Sequence, residues 1–324
     1  MSMKVTLFGM AALAFAGAAQ AQTEVKIGYA LPENSHYGAG ALTWAEVTEA
    51  ETDGAFSFVH YGSSGLGGER EVLEGLQLGT VEATIVSSGT LSNFVPEAGV
   101  FDIPFLFRDF DHARATLDGP IGQEMLAKFE DQGMVALAWG EQGFRHITNN
   151  RNPVAEAGDL AGLKLRTMEN PVHIEAFKTL GAAPTPMAWP EVVSALQQGT
   201  IDGQENPLSV IVSAKLNEVQ KYLTLSGHVY APNVLMVSKI FWDGLSEDEQ
   251  EAFRKGAVEG GLAMRAFVDE AEASGAQAMA DGGMEVNELD LDQKAALQEA
   301  LAPAYEDYAR MFGAELIEEI GKVE

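Results

Sequence analysis

Val25-Lys-Ile-Gly-Tyr29 opens a stretch that closes at Ala83-Thr-Ile-Val86, and its order of elements decides the fold. The first run alternates weakly and reads as a strand. Residues 38–51 follow as a helix, with Leu42, Ala45 and Val47 expected inward. Ala55-Phe-Ser-Phe-Val-His60 is a second strand. Glu69–Leu78 then carries Val72, Leu73 and Leu76 at helical spacing, and Gly79 stops it. Ala83–Val86 is the third strand. A β-α-β-α-β order needs crossover helices, so it predicts a parallel sheet with helices covering it, the α/β class.

Working outward, helices are expected over 111–117 and 121–131, then a strand over Met134–Trp139. A second unit begins after Gly143. Asn149-Asn-Arg-Asn-Pro153 reads as a turn-rich crossing segment. Strand Leu163–Arg166, helix Val172–Leu180, short strand Thr185–Ala188 and helix Glu191–Gln198 follow. His228–Ser238 is long enough to be a strand returning between lobes. Ser246-Glu-Asp-Glu249 is a capping box. The helix it opens carries Phe253, Ala257, Met264, Phe267 and Val268 on one face and is expected to brace both lobes; Asp281-Gly-Gly283 ends it. Met284–Glu288 reads as a last strand, with helices from Leu291 on. The expected architecture is two α/β lobes, each a mixed, mostly parallel sheet flanked by helices. Lobe I takes 22–142 plus about 230–270, and lobe II takes 143–229 plus about 271–324. Lobes joined by several crossings hinge around a ligand held between them.

The N-terminus reads as a cleaved signal rather than structure. Lys4 precedes the uncharged apolar run Val5–Ala16, and Ala19-Gln20-Ala21 is an A-x-A cleavage site, so residues 1–21 form a secretory signal peptide. The run is too short for a membrane anchor, which takes roughly 20 apolar residues. The chain has 0 Cys, which excludes disulfides, thiol catalysis and Cys-ligated metals. A chain of 324 residues buries a sizeable core without such staples. The formal charge is −28. No basic stripe survives that balance, so nucleic-acid binding is excluded. An anionic ligand would be repelled by the global field, so its site must carry local positive charge.

Three segments then stand in order: Gly162-Leu-Lys-Leu-Arg166, Gly181-Ala-Ala-Pro-Thr-Pro-Met-Ala188 and Ala195-Leu-Gln-Gln-Gly-Thr-Ile-Asp-Gly-Gln-Glu-Asn-Pro207. Together they resemble the solute-binding subunit of a TRAP transporter, from about residue 24 to the C-terminus. The resemblance implies the two-lobed architecture of periplasmic binding proteins. It implies a protein that captures a small organic acid and hands it to an integral-membrane permease driven by an ion gradient. It implies no catalysis and no cofactor. Some members of the family dimerise, so both monomer and homodimer stay open.

The residues themselves suggest a site. Arg166 ends its strand, and ligands of open α/β sheets sit beyond the carboxyl ends of strands. Its planar fork of donors matches a carboxylate bidentately; a surface ion pair is the plain alternative. By resemblance Arg166 is the carboxylate clamp. Arg145, in Gly143-Phe-Arg-His-Ile-Thr148, resembles the family's second pocket arginine, with an interlobe ion pair as its alternative. Asn206 both donates and accepts, and the resemblance makes it a ligand contact. Asp202 and Glu205 are expected to fix the loop around it. Trp189 reads as an aromatic wall or an interior Trp, with Met168, Phe144 and Tyr230 as further wall candidates. Ser87, Ser88 and Thr90 follow the third strand and offer hydrogen bonds. The sialic-acid branch of the family carries charges in that segment, and their absence argues against sialate. His36 and Tyr37 line the cleft or serve the hinge or surface. Gly62-Ser-Ser-Gly-Leu-Gly-Gly68 lacks the ending of a phosphate loop and reads as a turn. The six His show no metal spacing, and there is no G-x-S-x-G elbow. The ligand stays open among C4-dicarboxylates, sugar acids and 2-oxo or hydroxy acids. The rival functions are a cleft lyase or hydrolase acting on small carboxylates, and a ligand-presenting subunit of a membrane sensor.

Overall fold

The computed structural model describes residues 22–324, so the expected signal peptide lies outside the described residues. The chain runs β1 (Thr23–Gly28), α1 (His36–Glu51), β2 (Phe56–Tyr61), α2 (Glu69–Leu78), β3 (Ala83–Ser87) and α3 (Ser88–Leu91). Then come α4 (Phe110–Asp118), α5 (Pro120–Ala127), β4 (Met134–Asn149), β5 (Lys164–Thr167), α6 (Pro171–Thr179) and β6 (Ala183–Pro186). They are followed by α7 (Trp189–Gln197), β7 (Gly203–Pro207), α8 (Leu208–Ser213), β8 (Tyr222–Leu225), β9 (Tyr230–Ser238) and α9 (Lys239–Trp242). The last elements are α10 (Glu247–Asp281), β10 (Glu285–Glu288), α11 (Leu291–Ala300), α12 (Ala302–Phe312) and α13 (Ala314–Gly321).

The opening β-α-β-α-β reading holds: β1 pairs in parallel with both β2 and β3. Gly79 ends α2 in the left-handed region at φ 68°, where a Cβ is strained. The hydrogen-bonded path continues β2-β1-β3-β9-β4-β7-β5-β6. β9 is antiparallel to β3 and β4, and β5 is parallel to β6 and β7. β8 joins the other side of β4 and carries β10 in parallel. The two-lobed α/β fold follows, each lobe a mostly parallel sheet with helices over it.

β4 is the strand the lobes share. Its residues 134–144 pair with β9, and 145–149 pair with β7. The sequence predicts this strand to stop at Trp139 and a new unit to start after Gly143. The strand runs on instead, absorbing register shifts at 136–138 and 141–143. Gly143 takes φ 107° at the second shift, a conformation open to glycine. Residues 203–207, predicted as a loop, are the strand β7. Its composition, Gly-Gln-Glu-Asn-Pro, has little strand propensity, and pairing on both sides with β4 and β5 overrides that.

α10 braces both lobes. At 35 residues it is about 52 Å long. Its capping box is formed, with Ser246 accepting from the Glu249 N–H and the Glu249 carboxylate reaching back to Ser246 N. Near its start Gly256 and Gly260 let the α1 backbone approach closely. A Cβ on Gly256 would stand 2.4 Å from Thr48 Oγ1, and one on Gly260 2.7 Å from Gly40 O. Near its end Gly275 abuts Leu208 and Val212 of α8. The expectation for α1 needs correction. Leu42 is 46 % exposed, and the buried stripe is Ala41, Trp44, Ala45 and Thr48. The helix starts at His36 and turns its small-residue face, not Leu42, onto α10.

Three apolar clusters hold the layers. Val25, Ile27, Ile85 and Trp44 pack with Phe253 and Met264 under the first sheet. Val192, Leu196, Leu208 and Leu223 pack with Met279 in the second lobe. The largest cluster runs from Leu73 through Phe101 and Tyr230 to Leu163, Val172 and Tyr308. It joins residues from both lobes into one core.

Candidate ligand-binding cleft

The carboxyl ends of β1 and β3 on one side, and of β5, β6 and β7 on the other, converge on a cavity of about 50 Å³. Of the residues predicted for the site, Arg166, Asn206, Trp189, Met168, Ser87, Thr90 and Tyr37 line it. Arg145, Ser88, His36, Phe144 and Tyr230 do not.

Arg166 is 3 % exposed. Leu163 and Leu165 anchor its strand at 1 % and 0 % exposure, so the strand cannot turn to release it. Its Nε and Nη2 donate to the Met187 carbonyl at 3.0 and 2.8 Å. Two of five donors are thereby used to aim the guanidinium, and Nη1 stays available. Among the described residues no carboxylate lies within ion-pair distance of it. Burial lowers its pKa to about 10, against the opposing pull of Glu205, so it stays charged at neutral pH. Trp189, half-buried at the start of α7, places its ring 5.8 Å from the guanidinium carbon, within cation–π range.

Arg145 has a different fate. It is 0 % exposed, and its Nε and Nη2 donate to both carboxylate oxygens of Glu205, which is also 0 % exposed. Nη2 also donates to the Glu205 carbonyl at 2.6 Å and to Asn206 Oδ1 at 3.3 Å. Arg145 therefore sits behind Asn206 and orients its amide. Burial alone would raise the Glu205 pKa, but Arg145, His228 and His173 outweigh it and hold the carboxyl well below its usual range. His228 Nε2 lies 3.2 Å from Glu205, and His173 lies 3.9 Å from Glu205 and 3.8 Å from Asp102. Asp102 accepts from Ser88 and Asn170, each at 2.7 Å. Ser88 thus serves this buried polar chain. Burial raises Asp102 to about 6.

His36 is fully buried against Tyr37 and Phe267, without a hydrogen-bond partner, and burial lowers its pKa to about 3. Phe144 and Tyr230 stack edge-on at 5.4 Å in an aromatic cluster, where the Tyr230 hydroxyl donates to Glu141 at 2.8 Å. Asp202 does fix backbone, accepting from Lys164 N at 2.9 Å.

The sequence reading missed Glu69, Gln142, Met187, Arg70 and Glu169 as lining residues. Glu69 is the hub among them. Its Oε1 accepts from Tyr37 Oη at 2.7 Å and Ser87 N at 2.9 Å, and its Oε2 accepts from Thr90 Oγ1 at 2.6 Å. The signal available was its place at the first position of α2, right after the glycine-rich turn.

The description of bacterial extracellular solute-binding proteins of family 7 matches residues 27–311. The chain belongs to that family. A TRAP periplasmic solute-binding protein from Bordetella, with density assigned to pantoate, is 55 % identical, with a TM-score of 0.91 over 94 % of this chain and 100 % of that one. One from Polaromonas sp. JS666, bound to D-erythronate, is 49 % identical, with a TM-score of 0.92 over 94 % and 99 %. The C4-dicarboxylate-binding periplasmic protein of Rhodobacter capsulatus is 35 % identical over 96 % of this chain and 95 % of its own. This family 7 chain is thus a TRAP-type solute-binding protein, and its relatives are binding proteins rather than enzymes. The family is extracellular, and no helix among the described residues is long and apolar enough to cross a membrane.

Proposed function

We propose that the protein captures a small organic acid in the cleft, clamps its carboxylate on Arg166 and delivers it to an ion-gradient-driven TRAP permease. The supporting observation is Arg166 itself: buried, charged, aimed by Met187, and free of any carboxylate partner among the described residues. A buried unpaired cation is expensive unless an anion completes it. Asn206 orients the acid and Trp189 walls it. Tyr37, Ser87, Thr90 and Met168 complete the enclosure, while Arg145, Ser88, His36, Phe144 and Tyr230 act from behind. The lobes, 22–142 with about 230–270 and 143–229 with about 271–324, hinge across β4, β9 and α10. Residues 1–21 direct export to the periplasm and are removed. The protein performs no chemistry on its cargo. Pantoate, assigned to density in the Bordetella protein, and D-erythronate, bound to the Polaromonas protein, are both four-carbon-chain acids with hydroxyls at C2 and C4. A hydroxy acid is therefore favoured over the other acid classes.

The test is titration calorimetry of the chain from Gln22 with D-erythronate, pantoate, galactonate and succinate, repeated on Arg166→Ala. Two charge-assisted hydrogen bonds at about 1.5–3 kcal/mol each make the loss about two to four orders of magnitude in Kd. Retention of affinity within tenfold would remove the clamp. A chemically altered ligand after incubation would favour the enzyme reading.

A further inference from the structure

We propose that the wall contributed by α2, β3 and β4 is a hydroxyl-reading subsite, built from Glu69, Ser87 and Gln142. It selects hydroxylated monocarboxylates and turns away dicarboxylates. The inference rests on the Arg166 reading and narrows it.

The charges lining the cavity come first. Arg166 and Arg70 are the cations, Glu69 and Glu169 the acids. Arg70 is exposed and already pairs with Glu74 at 3.2 Å along α2, and Glu169 is exposed. The enclosed part therefore offers one unpaired cation, which serves one carboxylate. A second carboxylate on the ligand would meet Glu69 with no cation to screen it. Repulsion at such distances is large away from water.

A hydroxyl fits the same wall. Glu69 has about four acceptor positions. Tyr37, Ser87 N and Thr90 fill three of them and lock the carboxylate in place, which leaves one on Oε2. Gln142 and Ser87 are each 2 % exposed and line the cavity. The Gln142 Nε2 and Ser87 Oγ atoms are buried with no hydrogen-bond partner in the protein. Gln142 is held by its backbone, whose carbonyl accepts from Ser209 Oγ at 2.6 Å. Buried donors without partners are rare, and they mark where a ligand oxygen belongs. A hydroxyl donates to Glu69 and accepts from Gln142 Nε2 or Ser87 Oγ, using both its capacities. A carboxylate accepts only, and leaves Glu69 opposed. A plain alkyl chain satisfies neither.

Binding of D-erythronate, pantoate, succinate and butanoate to wild type, Glu69→Gln and Gln142→Leu tests this. Glu69→Gln keeps Oε1 for Tyr37 and Ser87 N, and its amide donates to Thr90, so the wall keeps its shape. Wild type is expected to prefer the hydroxy acids by at least a hundredfold over succinate and butanoate. Glu69→Gln should narrow the erythronate-to-succinate ratio at least tenfold. Gln142→Leu should weaken both hydroxy acids about tenfold and leave butanoate unchanged. Succinate binding to wild type as tightly as D-erythronate, or variants that shift all four acids equally, would overturn the subsite and leave the clamp standing. A wild type that binds none of the four would overturn both.

Discussion

Replacing Arg145 with Met separates a ligand clamp from a buried strut. Arg145 and Glu205 are both fully buried and share three hydrogen bonds, two to the carboxylate and one to the carbonyl. Cutting such a pair from one side leaves a buried charge uncompensated, at about 3–5 kcal/mol. The pH dependence carries the diagnosis. With Arg145 gone, its lowering effects on Glu205 go too, and burial, the largest single effect, is expected to outweigh what His228 and His173 still contribute. The folded-state pKa of Glu205 is then expected to rise above the unfolded value of 4.5. A carboxyl so raised contributes stability that is present below the unfolded pKa and lost as pH rises through the folded one. The difference between wild type and Arg145→Met should therefore be largest near pH 8. It should shrink on acidification by up to about 1.4 kcal/mol per pH unit. Urea denaturation followed by tryptophan fluorescence at pH 8 and pH 5.5 measures it. The double variant Arg145→Met, Glu205→Met removes both charges and should recover to within about 2 kcal/mol of wild type. Ligand affinity of the single variant should stay within about tenfold, because Arg145 reaches the cavity only through Asn206. A variant that loses under 1 kcal/mol at pH 8 but abolishes binding would refute the reasoning and make Arg145 a ligand contact.

Acid should destabilise the protein from about pH 6.5 downward. Burial lowers His36, His146 and His173 to about 3 each, so their stability is fully present above the unfolded value of 6.5 and is lost as pH falls toward 3. Asp102 and Glu272 run the other way, returning stability as pH falls from about 6 and about 7 to their unfolded 3.8 and 4.5. Three protons bound by the unfolded chain against two bound by the folded one give about 1–2 kcal/mol per pH unit near pH 5, and denaturation curves flat between pH 6.5 and 4.5 would contradict this. Gly89→Ala places a Cβ 2.0 Å from the Met168 methyl, so that flexible end must move into the cavity. Calorimetry should show binding at least tenfold weaker, with denaturation little changed. Gly256→Ala drives a Cβ onto Thr48 and Trp44, including the Trp44 carbonyl at 2.8 Å. Overpacking between α1 and α10 should cost about 1–3 kcal/mol, read as a lower urea midpoint.

Much of the fold was legible because its signals are local. Gly79 and the Ser246–Glu249 box mark helix ends through backbone chemistry that needs no partner, and both ends fall where the sequence places them. The missed elements are those that only a partner defines. β7 is made of residues that avoid strands, and it exists because β4 and β5 lie on either side. The second half of β4 is a strand for the same reason. The inward face of α1 also depended on a partner, since glycines of α10, more than 200 residues away, decide which side is buried.

The two arginines show the same limit at the level of single residues. Both stand in strands that flank β7, and composition cannot tell them apart. Pairing register does. Glu205 stands opposite Ile147, so Arg145, two residues from Ile147 and on the same face of β4, is its diagonal neighbour. Arg166 stands opposite Gln204, one residue out of phase, and so misses Glu205. A strand reverses its faces with every residue, so a one-residue slip of β7 would exchange the environments of the two cations. The parity of one strand leaves Arg145 paired with Glu205 and Arg166 without a carboxylate partner among the described residues. If Arg166 is the clamp proposed above, that parity also accounts for how a −28 chain holds an acid. The surface charge is spread over water, where it is screened within about 10 Å. On the proposed reading Arg166, buried in the cleft, acts on the acid at contact distance and so outweighs that distant charge.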